Sequence, residues 1–159
     1  MNTNSDKKFM RLAIREAGKN LKTPDGGPFG ACVVKDGRVV GIGRNTVLKN
    51  DATCHAEMNA IRAASKRLGT YDLSGSVIYS TTEPCPMCFS AIHWARIDAV
   101  IYGTTIGDVK KLGFNELSIS GARMKALGKS GVKIIPKCLV GECTKLLKDW
   151  DKLEYKLLY

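Results

Sequence analysis

The amino-acid sequence predicts an α/β fold in which helices pack on the faces of one mixed β-sheet. Two observations favour it: an early hairpin signal, and an alternation of short apolar strands with helical segments further along the chain. Strands separated by helices are expected to pair in parallel, so the sheet combines antiparallel and parallel pairs. No linker-like segment divides the 159 residues, and residues 1–159 are expected to form a single domain.

The first half of the chain contains a helix, a loop, a hairpin and a second helix. An amphipathic N-terminal helix is followed by the loop TPDGGPFG, which is rich in proline and glycine. The stretch ACVVKDGRVVGIG predicts two strands joined at Asp36-Gly37, because glycine accepts the positive φ of a tight turn. Alanines and isoleucine predict the second helix from about Cys54 to Leu68, ending at Gly69.

The second half alternates strands and helices around one poorly patterned segment, residues 106–131. SVIYSTT, DAVIYGT and VKIIP read as strands, and a helix is expected from Pro86 to about Ala95, with proline in its first turn. The last helix is expected to carry four apolar residues on one face: Leu146, Trp150, Leu153 and Leu157.

The net charge of +10 indicates attraction to anions such as nucleic acid, nucleotides or acidic membranes, although a basic helix face is also typical of ordinary solvated surfaces. No run approaches the ~18 apolar residues of a membrane span, and the start MNTNSDKKFM lacks the apolar core of a secretory signal. A cytoplasmic location is therefore expected. In that reducing compartment the six cysteines are not expected to form disulfides.

Two short segments, DATCHAEMNAI and EPCPMC, carry residues suited to metal binding and proton transfer. His55 and Glu57 stand at one predicted helix start, and Cys85 and Cys88 stand at another. Both helices follow strands of the same sheet, so their N-termini can meet beside its strand ends, where α/β folds bind ligands. One histidine and two cysteines would suit Zn²⁺ and leave the fourth tetrahedral position open for water, with Glu57 placed to take a proton.

Two other interpretations of the cysteines, a redox pair and a zinc ribbon, explain less of the sequence. A thioredoxin-like redox pair leaves the HAE segment unexplained, and a zinc ribbon would need a second C-x-x-C pair that the sequence lacks. Cys138 and Cys143 form a weaker candidate for a second metal pair. Cys32 and Cys143 are expected to be buried as small apolar residues.

The H-A-E segment followed by P-C-x-x-C resembles the signature of the cytidine-deaminase superfamily, over most of the chain. The resemblance implies a three-layer α/β/α sandwich with a five-stranded mixed sheet. It further implies that His55, Cys85 and Cys88 bind zinc, that Glu57 shuttles protons during hydrolytic removal of an amino group, and that the protein forms a homodimer.

Within this superfamily the chain is most similar to bacterial-type guanine deaminases, in GGPFGACVVKDG, NDATCHAE, EPCPMCFSAIHWAR and LGFNE. The similarity implies that Asn45 and Phe29 hold the base, and that Glu116 contacts guanine. Tyr159 would reach a neighbouring active site through a C-terminal tail swapped between subunits, and Trp94 is expected to line the pocket. Asn115-Glu116 stands where that family usually has two acidic residues.

Deamination of guanine to xanthine and ammonia is the leading hypothesis, and three others stay open. The charge favours a tRNA adenosine deaminase, although Phe89 after the cysteines and the loop TTIGDVKKLGF do not, so nucleic acid is a possible but less favoured partner. HAEMNAI is similar to deoxycytidylate deaminases, which keeps a cytosine, nucleoside or deoxycytidylate substrate open. A zinc-stabilised nucleic-acid-binding module is the non-enzymatic alternative, but such a module has no use for Glu57.

Overall fold

The computed structural model describes residues 3–159, which form five strands and six α-helices. The strands are β1 (Gly30–Lys35), β2 (Arg38–Arg44), β3 (Ser76–Thr82), β4 (Ala99–Thr104) and β5 (Lys133–Ile135). The helices are α1 (Asn4–Ala17), α2 (Ala56–Leu68), α3 (Pro86–Trp94), α4 (Ile106–Lys110), α5 (Gly121–Gly128) and α6 (Val140–Asp151). None of these helices is long and apolar enough to cross a membrane.

The five strands form one mixed sheet in the order β2-β1-β3-β4-β5. β1 pairs antiparallel with both β2 and β3, whereas the pairs β3–β4 and β4–β5 are parallel. The turn between β1 and β2 has positive φ at Asp36 and Gly37, 50° and 70°, as the Asp-Gly pair predicts. The predicted mixed sheet is confirmed.

Helices cover both faces of the sheet, because side chains alternate along each strand. On β1, Ala31 and Val33 face the apolar core shared with α2, α3 and α5. Cys32 and Val34 face the opposite core, which α1 and α6 complete. This arrangement confirms the three-layer α/β/α sandwich.

Helix α2 lies unusually close to β2, because the strand has glycine where the helix crosses it. A Cβ atom at Gly41 would lie 2.2 Å from the carbonyl oxygen of Ala60, and one at Gly43 would lie 2.7 Å from the backbone nitrogen of the same residue. The close contact fixes the position of α2, whose N-terminus lies at the candidate site.

The end of the chain differs from the prediction. Helix α6 stops at Asp151, so Leu153 and Leu157 lie beyond it, and Leu157 is 58% exposed. The Lys156 ammonium donates to both the carbonyl and the carboxylate of Asp151, which satisfies groups at the helix end. The tail then turns back along the molecule, which the apolar periodicity could not reveal.

The three cysteines furthest from the candidate site are buried. Cys32, Cys138 and Cys143 are at most 1% exposed and belong to the core between the sheet and helices α1 and α6. Burial raises the pKa of Cys32 and of Cys143 to about 12, so both stay protonated. The prediction that Cys32 and Cys143 are buried is confirmed, and within residues 3–159 no group of three or more metal-ligating side chains includes Cys138 or Cys143.

Candidate metal centre and substrate pocket

Two helix N-termini bring three metal-ligating side chains together. His55 is the N-cap residue of α2, Cys85 is the N-cap residue of α3, and Cys88 lies in the first turn of α3. One ligand atom from each lies within 4.8 Å of the other two, and Cys85 Sγ is 3.6 Å from His55 Nδ1. The three residues could therefore hold a metal ion.

The protonation of the three side chains fits a cation. The hydrogen bond with Cys88 lowers the pKa of Cys85 to about 4, although burial opposes this, so Cys85 is a thiolate. The hydrogen bond of Cys88 with Cys85, then burial, then the negative charges of Glu57 and Cys85 raise the pKa of Cys88 well above the ordinary value. A divalent cation would relieve this repulsion, and a set of two thiolates and one imidazole suits Zn²⁺.

The pKa of His55 is also raised, since its hydrogen bond with Cys85 and the nearby negative charges outweigh the effect of burial, which acts in the opposite direction. Metal and protons therefore compete for the same three side chains, and metal affinity falls at acid pH.

Glu57 lies in the first turn of α2 and is only 6% exposed. Burial, and then the negative charge of Cys85, raise the pKa of its carboxyl group. A buried carboxyl with a raised pKa beside a metal site is suited to proton transfer at neutral pH. The Ser80 hydroxyl donates a 2.8 Å hydrogen bond to Glu57 Oε1 and fixes the orientation of the carboxylate.

Ser80 is a site residue that was not predicted from the sequence. It lies in β3, and alternation along SVIYSTT places it on the same face as Ile78, whose side chain is buried in the core. A hydroxyl in the middle of an apolar strand was the available signal.

The predicted site residues line one cavity of about 360 Å³. Five of the predicted site residues in its walls are Phe29, Asn45, His55, Glu57 and Glu116. Cys85 and Tyr159 also line it, while Cys88 is buried behind the wall. The structure thus brings together all eight predicted site residues.

Trp94 was expected to line this pocket, and that expectation is wrong. It is the last residue of α3, whereas Cys85 precedes the first, and its side chain is 76% exposed. A nine-residue helix is about 13 Å long, so its C-terminal end lies far from the cavity.

The C-terminal residue closes one side of the cavity. The Tyr159 hydroxyl donates to Asn45 Oδ1 at 2.7 Å and accepts from the Gly27 amide at 2.9 Å. Its carbonyl oxygen accepts from the Asn115 amide, and its ring makes an edge contact with Phe114. This tail belongs to the same chain as the cavity.

Asn45 keeps one polar group available. It is 1% exposed, and its Oδ1 accepts from Tyr159 and from the Val47 amide. Within residues 3–159 its Nδ2 has no hydrogen-bond acceptor, so this amide can donate to a bound molecule.

A buried network behind the cavity holds this wall in place. Asn20 is fully buried, and its Nδ2 donates to the carbonyls of Gly27 and Asn45, both at 2.8 Å. Arg44 Nε donates to Asn20 Oδ1, and its guanidinium also pairs with Asp25 at 2.7 Å. Sequence reasoning missed Asn20, because an asparagine near a helix end usually reads as a local cap.

Glu116 lines the same cavity as His55 and Cys85. Burial, and then the negative charges of Cys85 and Glu57, raise the pKa of its carboxyl group. The segment between α4 and α5 carries it together with Phe114 and Asn115, which also line the cavity.

Comparison with protein families gives a match to the cytidine and deoxycytidylate deaminase zinc-binding region over residues 3–104. That range contains the three candidate metal ligands and Glu57.

Three similar proteins show how the substrate varies. Guanine deaminase of Bacillus subtilis is 45% identical over 68% of this chain and 70% of its own length. The tRNA-specific adenosine deaminase of Buchnera aphidicola is 33% identical over 96% of this chain and 97% of its own. The solved structure of guanine deaminase from Nitrosomonas europaea superimposes with a TM-score of 0.84, at 25% identity, over 96% of this chain and 87% of that one.

Proposed function

The chain belongs to the cytidine and deoxycytidylate deaminase family, and within it we propose that this enzyme converts guanine and water to xanthine and ammonia. The observation that carries the proposal is the position of Tyr159. Its hydroxyl lies between Asn45 and Gly27, so the chain's own tail closes one side of the cavity. The remaining volume, about 360 Å³, is near the lower end of the ~300–1,000 Å³ usual for small-molecule sites and suits a free base.

His55, Cys85 and Cys88 would hold the zinc ion. When bound, zinc supplies a Lewis acid that lowers the pKa of a water molecule towards ~7.

Glu57 moves the protons. Its carboxylate accepts a proton from the attacking water as the oxygen bonds to C2 of guanine, and passes it to the ring nitrogen N3. It then transfers a second proton from the same oxygen to the exocyclic amino group. The bond between C2 and the amino nitrogen breaks, and ammonia leaves. Ser80 keeps the carboxylate aimed at this point throughout.

Three other residues of the cavity wall, Asn45, Phe29 and Glu116, recognise the base. Asn45 Nδ2 donates to an acceptor on guanine, and the Phe29 ring packs on its face. The Glu116 carboxylate accepts from the N1–H and amino edge. Adenine presents an unprotonated N1 there, which would face the carboxylate without a proton to share, so adenine is disfavoured.

A tRNA adenosine deaminase is the second candidate, supported by the similarity to the Buchnera aphidicola enzyme and by the net charge of +10. For that substrate Tyr159 would have to leave the cavity so that a polynucleotide strand could enter.

We further propose that the protein is a homodimer in the cytoplasm, where a reducing environment keeps Cys85 and Cys88 available as ligands.

The experiment is ammonia release by purified, zinc-loaded protein offered guanine, guanosine, adenine, cytosine, cytidine, deoxycytidylate and tRNA. Turnover of guanine alone supports the proposal. Turnover of tRNA, with none of guanine, would assign the chain to the second candidate.

A further inference from the structure

Glu83 is a buried carboxylate that connects the loop before Cys85 to the starts of helices α4 and α5. Glu83 lies two residues before Cys85, lines the cavity, and is 8% exposed. Its Oε2 accepts from the Ile106 amide at 3.3 Å, and its Oε1 accepts from the Gly121 amide at 3.0 Å. These amides belong to the first residues of α4 and α5.

The two hydrogen bonds account for an otherwise costly buried charge. No lysine or arginine of residues 3–159 forms an ion pair with Glu83. Its carboxylate is stabilised by N–H groups at two helix N-termini, where the peptide dipoles also favour negative charge. A glutamine at this position has one acceptor oxygen and could satisfy only one of the two amides.

The segment between these two helix starts forms part of the wall of the cavity that His55 and Cys85 also line. Residues 107–120 include Phe114, Asn115 and Glu116, all of which line the cavity, and residues 111–120 contain no strand or helix. The same carboxylate therefore holds both ends of the segment. The backbone amide of Glu83 also donates to the Thr104 carbonyl at the end of β4, which anchors the carboxylate to the sheet.

We infer that Glu83 is a positioning residue for substrate binding: by holding the starts of α4 and α5 it sets where Glu116 stands relative to the metal ligands. The inference rests on the proposed function, since it assigns Glu116 to the base. It assigns Glu83 no contact with the substrate, because both of its oxygens already accept from the backbone.

The test is a double-mutant cycle with Glu83→Gln and Glu116→Gln. Glu83→Gln alone should raise KM for guanine roughly 10- to 100-fold, as expected for the loss of one hydrogen bond to a charged group, with a smaller change in kcat. In the Glu116→Gln background the same substitution should change KM by about twofold or less, because the group that it positions is gone. An equal effect in both backgrounds, or loss of bound zinc from Glu83→Gln, would overturn the inference.

Asp108→Asn is the matched control, because Asp108 caps the start of α4 from an exposed position outside the cavity wall. If general weakening of α4 raised KM, Asp108→Asn would raise it as much as Glu83→Gln, and this result would contradict the inference. Should Glu83→Gln fail to fold, Glu83→Asp, which is too short to reach both amides, takes its place in every measurement.

Amide hydrogen exchange tests the inference without any substrate. Glu83→Ala, which removes both acceptor oxygens, should speed exchange in both α4 and the start of α5, including Gly121, whereas Asp108→Asn should speed it in α4 alone. Unchanged exchange at Gly121 would overturn the role of Glu83. If wild-type protein does not deaminate guanine, the proposed function fails, and this exchange comparison still decides whether Glu83 holds the segment.

Discussion

At the scale of single residues, buried polar side chains fix the position of the groups that bind the substrate or transfer protons. Ser80 fixes the orientation of the Glu57 carboxylate. Asn20 fixes the backbone at Gly27 and at Asn45, and Asn45 belongs to the cavity wall. The Ser80–Glu57 and Asn20–Asn45 contacts join residues that are 23 and 25 positions apart. The spacing of H-A-E and P-C-x-x-C predicted the metal ligands. The Ser80 hydroxyl in an apolar strand was a signal for a buried polar group, but the sequence does not show which group it contacts.

Asn20→Ala is expected to weaken both stability and base binding. It would leave the buried carbonyls of Gly27 and Asn45 without donors, at a cost of about 1–3 kcal/mol each where water cannot replace them. Urea denaturation and KM for guanine measure the two effects. Asn50→Ala is the control, because Asn50 is exposed and bonds only to Thr46 nearby, and a loss as large as that of Asn20→Ala would contradict the account.

The pH dependence of KM should reveal Glu116. Its pKa is raised above the ordinary 4.5 by burial and nearby negative charge, so the ionised form is lost at a higher pH than in an exposed glutamate. Because the ionised carboxylate accepts the N–H groups of guanine, KM should rise as the pH falls through this raised pKa. In Glu116→Gln the KM should be higher at neutral pH and lose this acid rise. An unchanged KM profile in the variant would exclude Glu116 from base binding.

At the scale of elements, helix N-termini place the chemistry. The two metal-ligand loops end in the N-caps of α2 and α3, where the positive end of a helix favours thiolates and carboxylates. The sequence indicated both helix starts through Pro86 and the alanines after His55. It could not indicate α4 and α5, because the polar segment 106–131 lacks the apolar periodicity that predicts a helix.

Gly41→Ala tests how α2 is positioned. Its Cβ would lie 2.2 Å from the Ala60 carbonyl oxygen, so the helix must shift, at a cost of about 1–3 kcal/mol for overpacking, and zinc should bind more weakly because His55 moves with the helix. Gly141→Ala in α6 is the control, because the added Cβ would lie more than 4 Å from every described heavy atom other than its chain neighbours and the backbone of its own helix. Its stability should rise slightly, since alanine is the better helix former. Equal stabilities for the two variants would contradict the close packing of α2.

At the scale of the whole molecule, the alternation of strands and helices predicted a mixed sheet with helices on its faces. The resemblance to the cytidine-deaminase superfamily implied its three layers. The course of the tail was not predictable, because it depends on contacts of Tyr159 with Gly27 and Asn45 more than 100 residues away. The resemblance to guanine deaminases implies a tail exchanged between subunits, and this stays a prediction, because the structure contains one chain. Within that chain Tyr159 lines the cavity.

Mixing two inactive variants distinguishes these arrangements. Glu57→Ala lacks the proton carrier, and a chain without Tyr159 lacks the wall. If each tail closes its own cavity, subunit exchange between the two produces no complete site and no activity. Recovery of a substantial fraction of wild-type activity on mixing would show that the tail is exchanged.

The most direct test of the account is guanine turnover by wild type and Glu57→Gln at equal zinc content. Glu57 is not among the metal ligands, so the variant should keep its zinc while kcat falls by roughly 10²- to 10⁴-fold, the usual contribution of a general acid–base group. Xanthine production by wild type, with this loss in the zinc-loaded variant, is the predicted result. A zinc-loaded Glu57→Gln as active as wild type would contradict the proton-transfer role, and a wild type that leaves guanine unchanged would contradict the substrate.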